Sequence, residues 1–359
     1  MWPNERLLDL LQLKVPIIQA PMAGANGSAM AIAVSEAGGL GSLPCAMLNE
    51  DKMRAEAGNI RQQTTKPFSM NFFCHTVTPP SAAQQAAWTE RLAPFYAEYG
   101  LNTDDVAAAP VRRAFDEGMC ELIEDIKPNA VSFHFGLPDA ALLKRVKAAG
   151  ACVLSSATTV NEARWLEENG CDAIIAQGFE AGGHRGMFLT QDITAQAGSM
   201  ALLPQVVDAV NVPVIAAGGI ADGRGIAAAF ALGAAGVQIG TAYLFTPQSL
   251  ISDIHRTALH QAKDDQTVLT NVFSGKPARG LINRIIREVG PMSEDAPPFP
   301  TAGAALAPLK AKAEQTGSGD FTSLWSGQAA ALARDLDAGE LTRTLASDAQ
   351  RRLKALAGK

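Results

Sequence analysis

A single histidine stands in a glycine-rich stretch, AQGFEAGGHRG at residues 176–186, directly after the apolar run Ala173 to Ala176. Imidazole is the side chain most readily tuned for proton transfer near neutral pH, and glycines let backbone approach a ligand closely. His184, set among Gly182, Gly183 and Gly186, therefore reads either as a general base held at a strand end or as a solvated turn histidine. Two further glycine stretches, AAGGIADGRG (216–225) and QIGTAY (238–243), each follow an apolar run. Their backbone N–H groups, on adjacent loops, could cradle a phosphate, or the glycines could simply serve tight strand-to-helix turns.

The other histidines are weaker candidates. His134, in SFHFG, falls at a strand end and is expected to contact substrate, with a core histidine as the alternative; His75, in FCHTVTPP, could line the same mouth. His255 and His260 are five positions apart on an expected helix, roughly 140° around its axis, and read as surface residues. Cys45, Cys74, Cys120, Cys152 and Cys171 form no C-x-x-C pair, so no metal site and no disulfide framework is expected. Arg185 and Lys310 are cations that could attract an anionic substrate.

Eight β-like runs could position these residues: VPIIQA (15–20), GLGSL (39–43), FSMNFF (68–73), AVSFHF (130–135), CVLSS (152–156), AIIAQ (173–177), VPVIAAG (212–218) and GVQIG (236–240). Several are apolar at nearly every position, as for strands covered on both faces. Helical patterns lie between them, among them SAMAIAVSEAG, DAALLKRVKAAG, VNEARWLEENG and GRGIAAAFALGAAG, each ending in glycine. The alternation predicts an α/β fold, a (β/α)8 TIM barrel, in preference to a doubly wound sheet, because QAPMAGANG after the first strand lacks the G-x-G-x-x-G fingerprint. Residues 1–73 and 129–246 are expected to form the barrel. Residues 74–128, inserted after the third strand, and the mostly helical extension 247–359 are expected to cover its mouth.

Composition narrows the function classes. Hydrophobic residues make up 47% and charged residues 18%, which fits a chain with a large core and excludes disorder. A net charge of −6 lacks the basic footprint of a nucleic-acid binder. No secretory signal and no long apolar span is visible, so a cytoplasmic protein without a membrane partner is expected; the oligomeric state is left open.

QAPMAG near the N-terminus, GFEAGGHRG, AAGGIADGRG and QIGTAY, in this order and spacing, resemble the nitronate monooxygenases, formerly 2-nitropropane dioxygenases, in particular their class I. The resemblance runs from about residue 15 to 245. It implies an FMN-dependent flavoprotein without a metal that converts alkyl nitronates, such as propionate 3-nitronate, and O2 to carbonyl compounds and nitrite through a flavin semiquinone, a detoxification. Carried over by position, it implies flavin contacts at Ala20, Pro21, Met22, Asn71, Gln177, Gly182 and Gly183. Phosphate contacts are implied at Gly218, Gly219, Gln238, Ile239, Gly240 and Thr241, and His184 is the implied catalytic residue. Phe299 and Lys310 are its loose counterparts of an aromatic ring and a lysine over the substrate. An NAD(P)H-dependent flavin reductase of enoyl or quinone reductase type on the same barrel is the nearest alternative. A non-catalytic binder of flavin or a phosphate ligand is the alternative from another class.

Overall fold

Each of the eight apolar runs forms a strand in the computed structural model, which describes residues 2–103, 106 and 113–358. They are β1 Ile17–Gln19, β2 Gly41–Pro44, β3 Phe68–Phe73, β4 Ala130–His134, β5 Cys152–Ala157 and β6 Ala173–Gln177; β7 Gly183–His184 belongs to another sheet, and β8 Val214–Ala217 and β9 Gly236–Ile239 complete the set. The eight pair in parallel in the order β1-β9-β8-β6-β5-β4-β3-β2. Leu40 closes the ring between β2 and β1, donating to the Ile17 carbonyl at 2.9 Å and accepting from Gln19 N at 3.0 Å. The fold is the expected (β/α)8 barrel.

Strand alternation sorts the side chains. Phe68, Met70 and Phe72 of β3, Val131 and Phe133 of β4, and Ile174 and Ala176 of β6 pack outward into the main core under the helices. Ile18, Leu154, Ile175 and Ile215 fill the barrel interior, plugged from below by Leu7 and Leu11 of the helix Arg6–Leu11. The same period of two turns Asn71, His134, Ser156, Gln177 and Gln238 inward at the carboxyl ends of their strands. Register sets Asn71 opposite Ser132, Gln177 opposite Ala217, and Ala217 opposite Gln238.

The barrel wall departs from the expected division of the chain. Helix Glu117–Ile126, inside the stretch read as an insertion, packs between Glu50–Gln63 and Ala140–Ala148 and is the barrel's own third helix. Only a one-turn helix, Thr241–Leu244, follows β9, and the eighth position is filled instead by Ala338–Leu356. That helix lies along Ser28–Glu36 and Gly223–Ala231, with the Thr342 hydroxyl 2.7 Å from the Tyr243 hydroxyl. Part of the extension is therefore wall, not cover.

The rest of the two additions pack on each other. Trp88, Leu92, Phe95 and Tyr96 of helix Ala82–Glu98 form a second core with Val272, Ile285, Leu309 and Phe321. Trp88 Nε1 donates to Ala302 O at 3.1 Å and Tyr96 Oη to Ala305 O at 2.6 Å. Fewer than half of the extension's described residues are helical, against the mostly helical extension expected, and it also holds β10 Thr267–Thr270 and β11 Ala278–Leu281, short strands of mixed polarity that the sequence pattern did not reveal. They form an antiparallel sheet in the order β10-β11-β7, which joins the extension to the loop after β6. Among the described residues no helix is long and apolar enough to cross a membrane.

Candidate active site

His184 is carried on β7, opposite Ala278 of β11. Its Nε2 lies 2.9 Å from Ser274 Oγ, in the turn joining β10 to β11. Ser274 donates its hydroxyl hydrogen to Lys276 O at 3.3 Å, so its lone pair accepts Nε2–H and the imidazole lone pair falls on Nδ1. That tautomer is assigned from the hydrogen-bond network. Aromatic rings enclose the imidazole, with centroids at 5.4 Å for Phe299, 5.6 Å for Trp325, 6.1 Å for Phe135 and 6.3 Å for Phe73. Phe299 thus stands beside His184, and the buried His75 touches the far edge of the group, 4.8 Å from the Phe299 ring.

Behind the imidazole, its own backbone is clamped. The His184 carbonyl accepts from Gln177 Nε2 at 2.9 Å and from His134 Nε2 at 3.2 Å, and Gln177 Oε1 accepts from Gly186 N at 2.8 Å. A carbonyl cannot donate, so His134 carries its hydrogen on Nε2, and its Nδ1 accepts from Ser156 Oγ at 3.0 Å. Burial pushes the His134 pKa down to about 4, and the nearby charges of Arg185 and Lys276 act in the same direction. His134, expected at substrate, is here a neutral brace with both nitrogens engaged by protein, and the Gln177 amide, expected on a flavin, holds its own loop.

The two cations that could have attracted substrate are elsewhere. Arg185 is 1% exposed and turned inward, donating to Gly178 O at 2.6 Å, to Gln177 O at 2.8 Å and to Gln196 Oε1. Lys310 lies on an exposed helix face, 3.8 Å from Glu314. Of the two helical histidines, His260 is at the surface near Asp335, but His255 is buried and donates Nε2–H to Trp325 O at 3.0 Å. Helical spacing fixes an angle between two residues, not what packs against each of them.

His134 and His255 make stability depend on pH. Burial holds both at about 4 in the native state, against about 6.5 in an unfolded chain. Below pH 6.5 the unfolded chain takes up protons that the native state refuses, so stability is full above that pH and falls as pH drops toward 4. Each residue contributes up to roughly 3 kcal/mol to that loss. Urea midpoints measured from pH 7.5 to 4.5 should fall, and His255→Gln should flatten the fall; a midpoint independent of pH would contradict the burial of both rings.

At the next two strands the mouth presents bare backbone. Gly218 and Gly219 lie at φ +108° and +70°, where side chains are strained. Among the described residues, the N–H groups of Gly218, Gly219, Gly240 and Thr241 donate to no protein acceptor. The helix start after β8 is by contrast already capped, since Asp222 Oδ1 accepts from Arg224 N and Gly225 N. The β1 exit adjoins this place: a Cβ on Gly240 would meet Ala20 Cβ at 3.5 Å and Met22 Sδ at 3.8 Å. Asn71 Nδ2 donates to Ser132 O and Oγ, at 3.1 and 3.0 Å. Gly182 has a different use from the one expected. A Cβ there would stand 2.5 Å from Gly327 N, so it accommodates the close crossing of Ser326–Gly327.

Four residues of the site, Ser274, Lys276, Trp325 and Gly327, were missed by sequence reasoning. All lie in the extension, and their approach to His184 depends on the register of β11 against β7, for which the local sequence carries no signal. Phe299 alone among the extension's site residues was anticipated.

The chain is similar to known proteins over nearly its whole length. The family model described as nitronate monooxygenase matches residues 4–348. A nitronate monooxygenase of Pseudomonas aeruginosa is 42% identical, over 96% of this chain and 99% of its own. One of Paraburkholderia phytofirmans is 41% identical, over 98% and 96%. Among solved structures, a nitroalkane oxidase from Streptomyces ansochromogenes superposes with a TM-score of 0.88 at 39% identity, covering 98% of this chain and 99% of that one. FabK from Thermotoga maritima gives 0.72 at 28%, covering 98% of both.

Proposed function

Since the chain belongs to the nitronate monooxygenase family, we propose that it is an FMN-dependent oxidoreductase of small alkyl nitronates, propionate 3-nitronate being one such substrate. Two nitronates and one O2 balance as two carbonyl compounds and two nitrite ions. The observation that carries this reading is the meeting, at one barrel mouth, of His184 in its aromatic enclosure with the four uncommitted N–H groups after β8 and β9.

Those donors fit a flavin mononucleotide. Gly218, Gly219, Gly240 and Thr241 would hold its phosphate, and the Ala20–Met22 backbone, Asn71 and Gln238 would line its ring and chain. When bound, FMN supplies the electron acceptor between the nitronate and O2. The protein's own part is proton control and position. His184 Nδ1 takes the α-proton of a neutral nitroalkane, and the Nε2–H bond to Ser274 keeps that nitrogen basic. With a nitronate already deprotonated, the protonated ring instead offers a charge-assisted donor to the anion. The surrounding rings exclude water, which strengthens every such contact.

The visible spectrum of the purified protein tests the cofactor, and anaerobic mixing tests the reaction. A yellow protein whose flavin band bleaches with ethylnitronate and persists with NADH is expected. Rapid bleaching by NADH would make the protein an NAD(P)H-dependent reductase, and a colourless protein would overturn the flavin assignment.

A further inference from the structure

The turn that brings Ser274 to His184 also carries a lysine. Lys276 Nζ lies 4.7 Å from the Phe135 ring centroid, and that centroid is 6.1 Å from the His184 imidazole. Of the described lysines only Lys147 and Lys310 stand within 4.0 Å of a carboxylate, so no described acidic group neutralises Lys276. Its ammonium is half-buried, and burial pushes its pKa below the ordinary lysine range. The position is fixed by packing. A side chain at Gly275, with φ +88°, would strike Pro297 O and Phe299 N, so the turn is pressed against the segment that carries Phe299. Arg185 N donates to Pro277 O at 2.9 Å on the other side.

A cation with no described carboxylate partner, beside a general base, is a site for a small anion. We propose that Lys276 is the substrate's cationic anchor, its ammonium taking the anionic oxygens of a nitronate while His184 meets its carbon end. This rests on the nitronate reading of the site. It makes Lys276 a specificity-determining residue, selecting nitronates over the neutral nitroalkanes from which they derive, and it takes the role the sequence offered to Arg185 and Lys310.

Lys276→Met keeps the apolar stem and removes the charge, and Lys276→Arg keeps the charge. With the protein as isolated, KM for ethylnitronate should rise about tenfold or more in Lys276→Met, with kcat within about threefold, while KM for nitroethane changes less than about twofold. Lys276→Arg should restore the nitronate KM to within about threefold. Calorimetric titration with nitrate, a planar monoanion with the same O–N–O edge, should show the same order of binding without any turnover. An unchanged nitronate KM in Lys276→Met, equal losses for both substrates, or a loss that arginine leaves unrescued would each overturn the proposal. Lys276-dependent nitrate binding in a protein that oxidises no nitronate would keep the anion site and sink the nitronate reading instead. Normal nitronate oxidation by Lys276→Met would leave that reading standing and remove the anchor.

Discussion

Replacing His184 with glutamine lowers kcat/KM for a neutral nitroalkane by about 10²- to 10⁴-fold, the usual contribution of a positioned general base. Glutamine carries an amide N–H where the imidazole carries Nε2–H and can reach Ser274 in the same way, so the loop and its aromatic enclosure are kept. What disappears is the basic nitrogen. A preformed nitronate has already lost its α-proton, so its kcat/KM falls by only about tenfold, the loss of one charge-assisted contact. Nitrite release measured side by side with nitroethane and ethylnitronate checks this. Equal losses for the two would assign His184 to binding, and undiminished nitroethane turnover would sink its role as base.

Arg185→Met destabilises the native state by about 3–5 kcal/mol, as expected when one partner of a buried charged network is removed. The guanidinium bridges the carbonyls of Gln177 and Gly178 to Gln196 Oε1; Gln196 Nε2 donates to Thr158 Oγ1 at 3.0 Å, and Thr158 Oγ1 to Glu162 Oε2 at 2.7 Å. The other Glu162 oxygen accepts from Phe188 N and Leu189 N, so the charges at the two ends of the relay pin both flanks of His184. Methionine removes the donors to the Gln177 and Gly178 carbonyls and to Gln196 Oε1, and with them the cation that faces Glu162. Lysine restores the charge but not the planar fork that reaches three acceptors together, so Arg185→Lys recovers only part of the loss. The check is the urea midpoint, expected lower in both variants at unchanged slope. A midpoint equal to the parent's would mean that the loop is held by the backbone ladder of β7 and β11 alone.

The barrel was legible because its signals are local. Each strand is a mostly apolar run of three to six residues, and the helices that follow stop at glycines, of which Gly38, Gly150, Gly170 and Gly233 lie at φ between +91° and +95°. The strand ends, and with them Asn71, His134, Gln177 and the β8 and β9 loops, follow from the same pattern and the rule that barrel function sits there. Roles were less legible than positions. That His134 and Gln177 face the His184 backbone depends on which residue stands opposite in the folded loop, which no spacing encodes. Residues 267–281 read as loop because β10 and β11 are only four residues each and of mixed polarity. The pairing of β11 with β7 spans about ninety positions, and that long-range register is what delivers Ser274 and Lys276.

The eighth helix of the wall has a consequence in time. Ribosomes add about 5–20 residues per second. After Ile239 of β9 emerges, the chain therefore grows for roughly 5–20 s before Ala338–Leu356 exists to lie along Ser28–Glu36 and Gly223–Ala231. Throughout that interval all eight strands are present while the seam between first and last has bare apolar helix flanks. A nascent chain at that stage is a natural client for a chaperone that recognises such flanks, and until Leu281 is added the catalytic loop also lacks the β11 strand that pairs with β7.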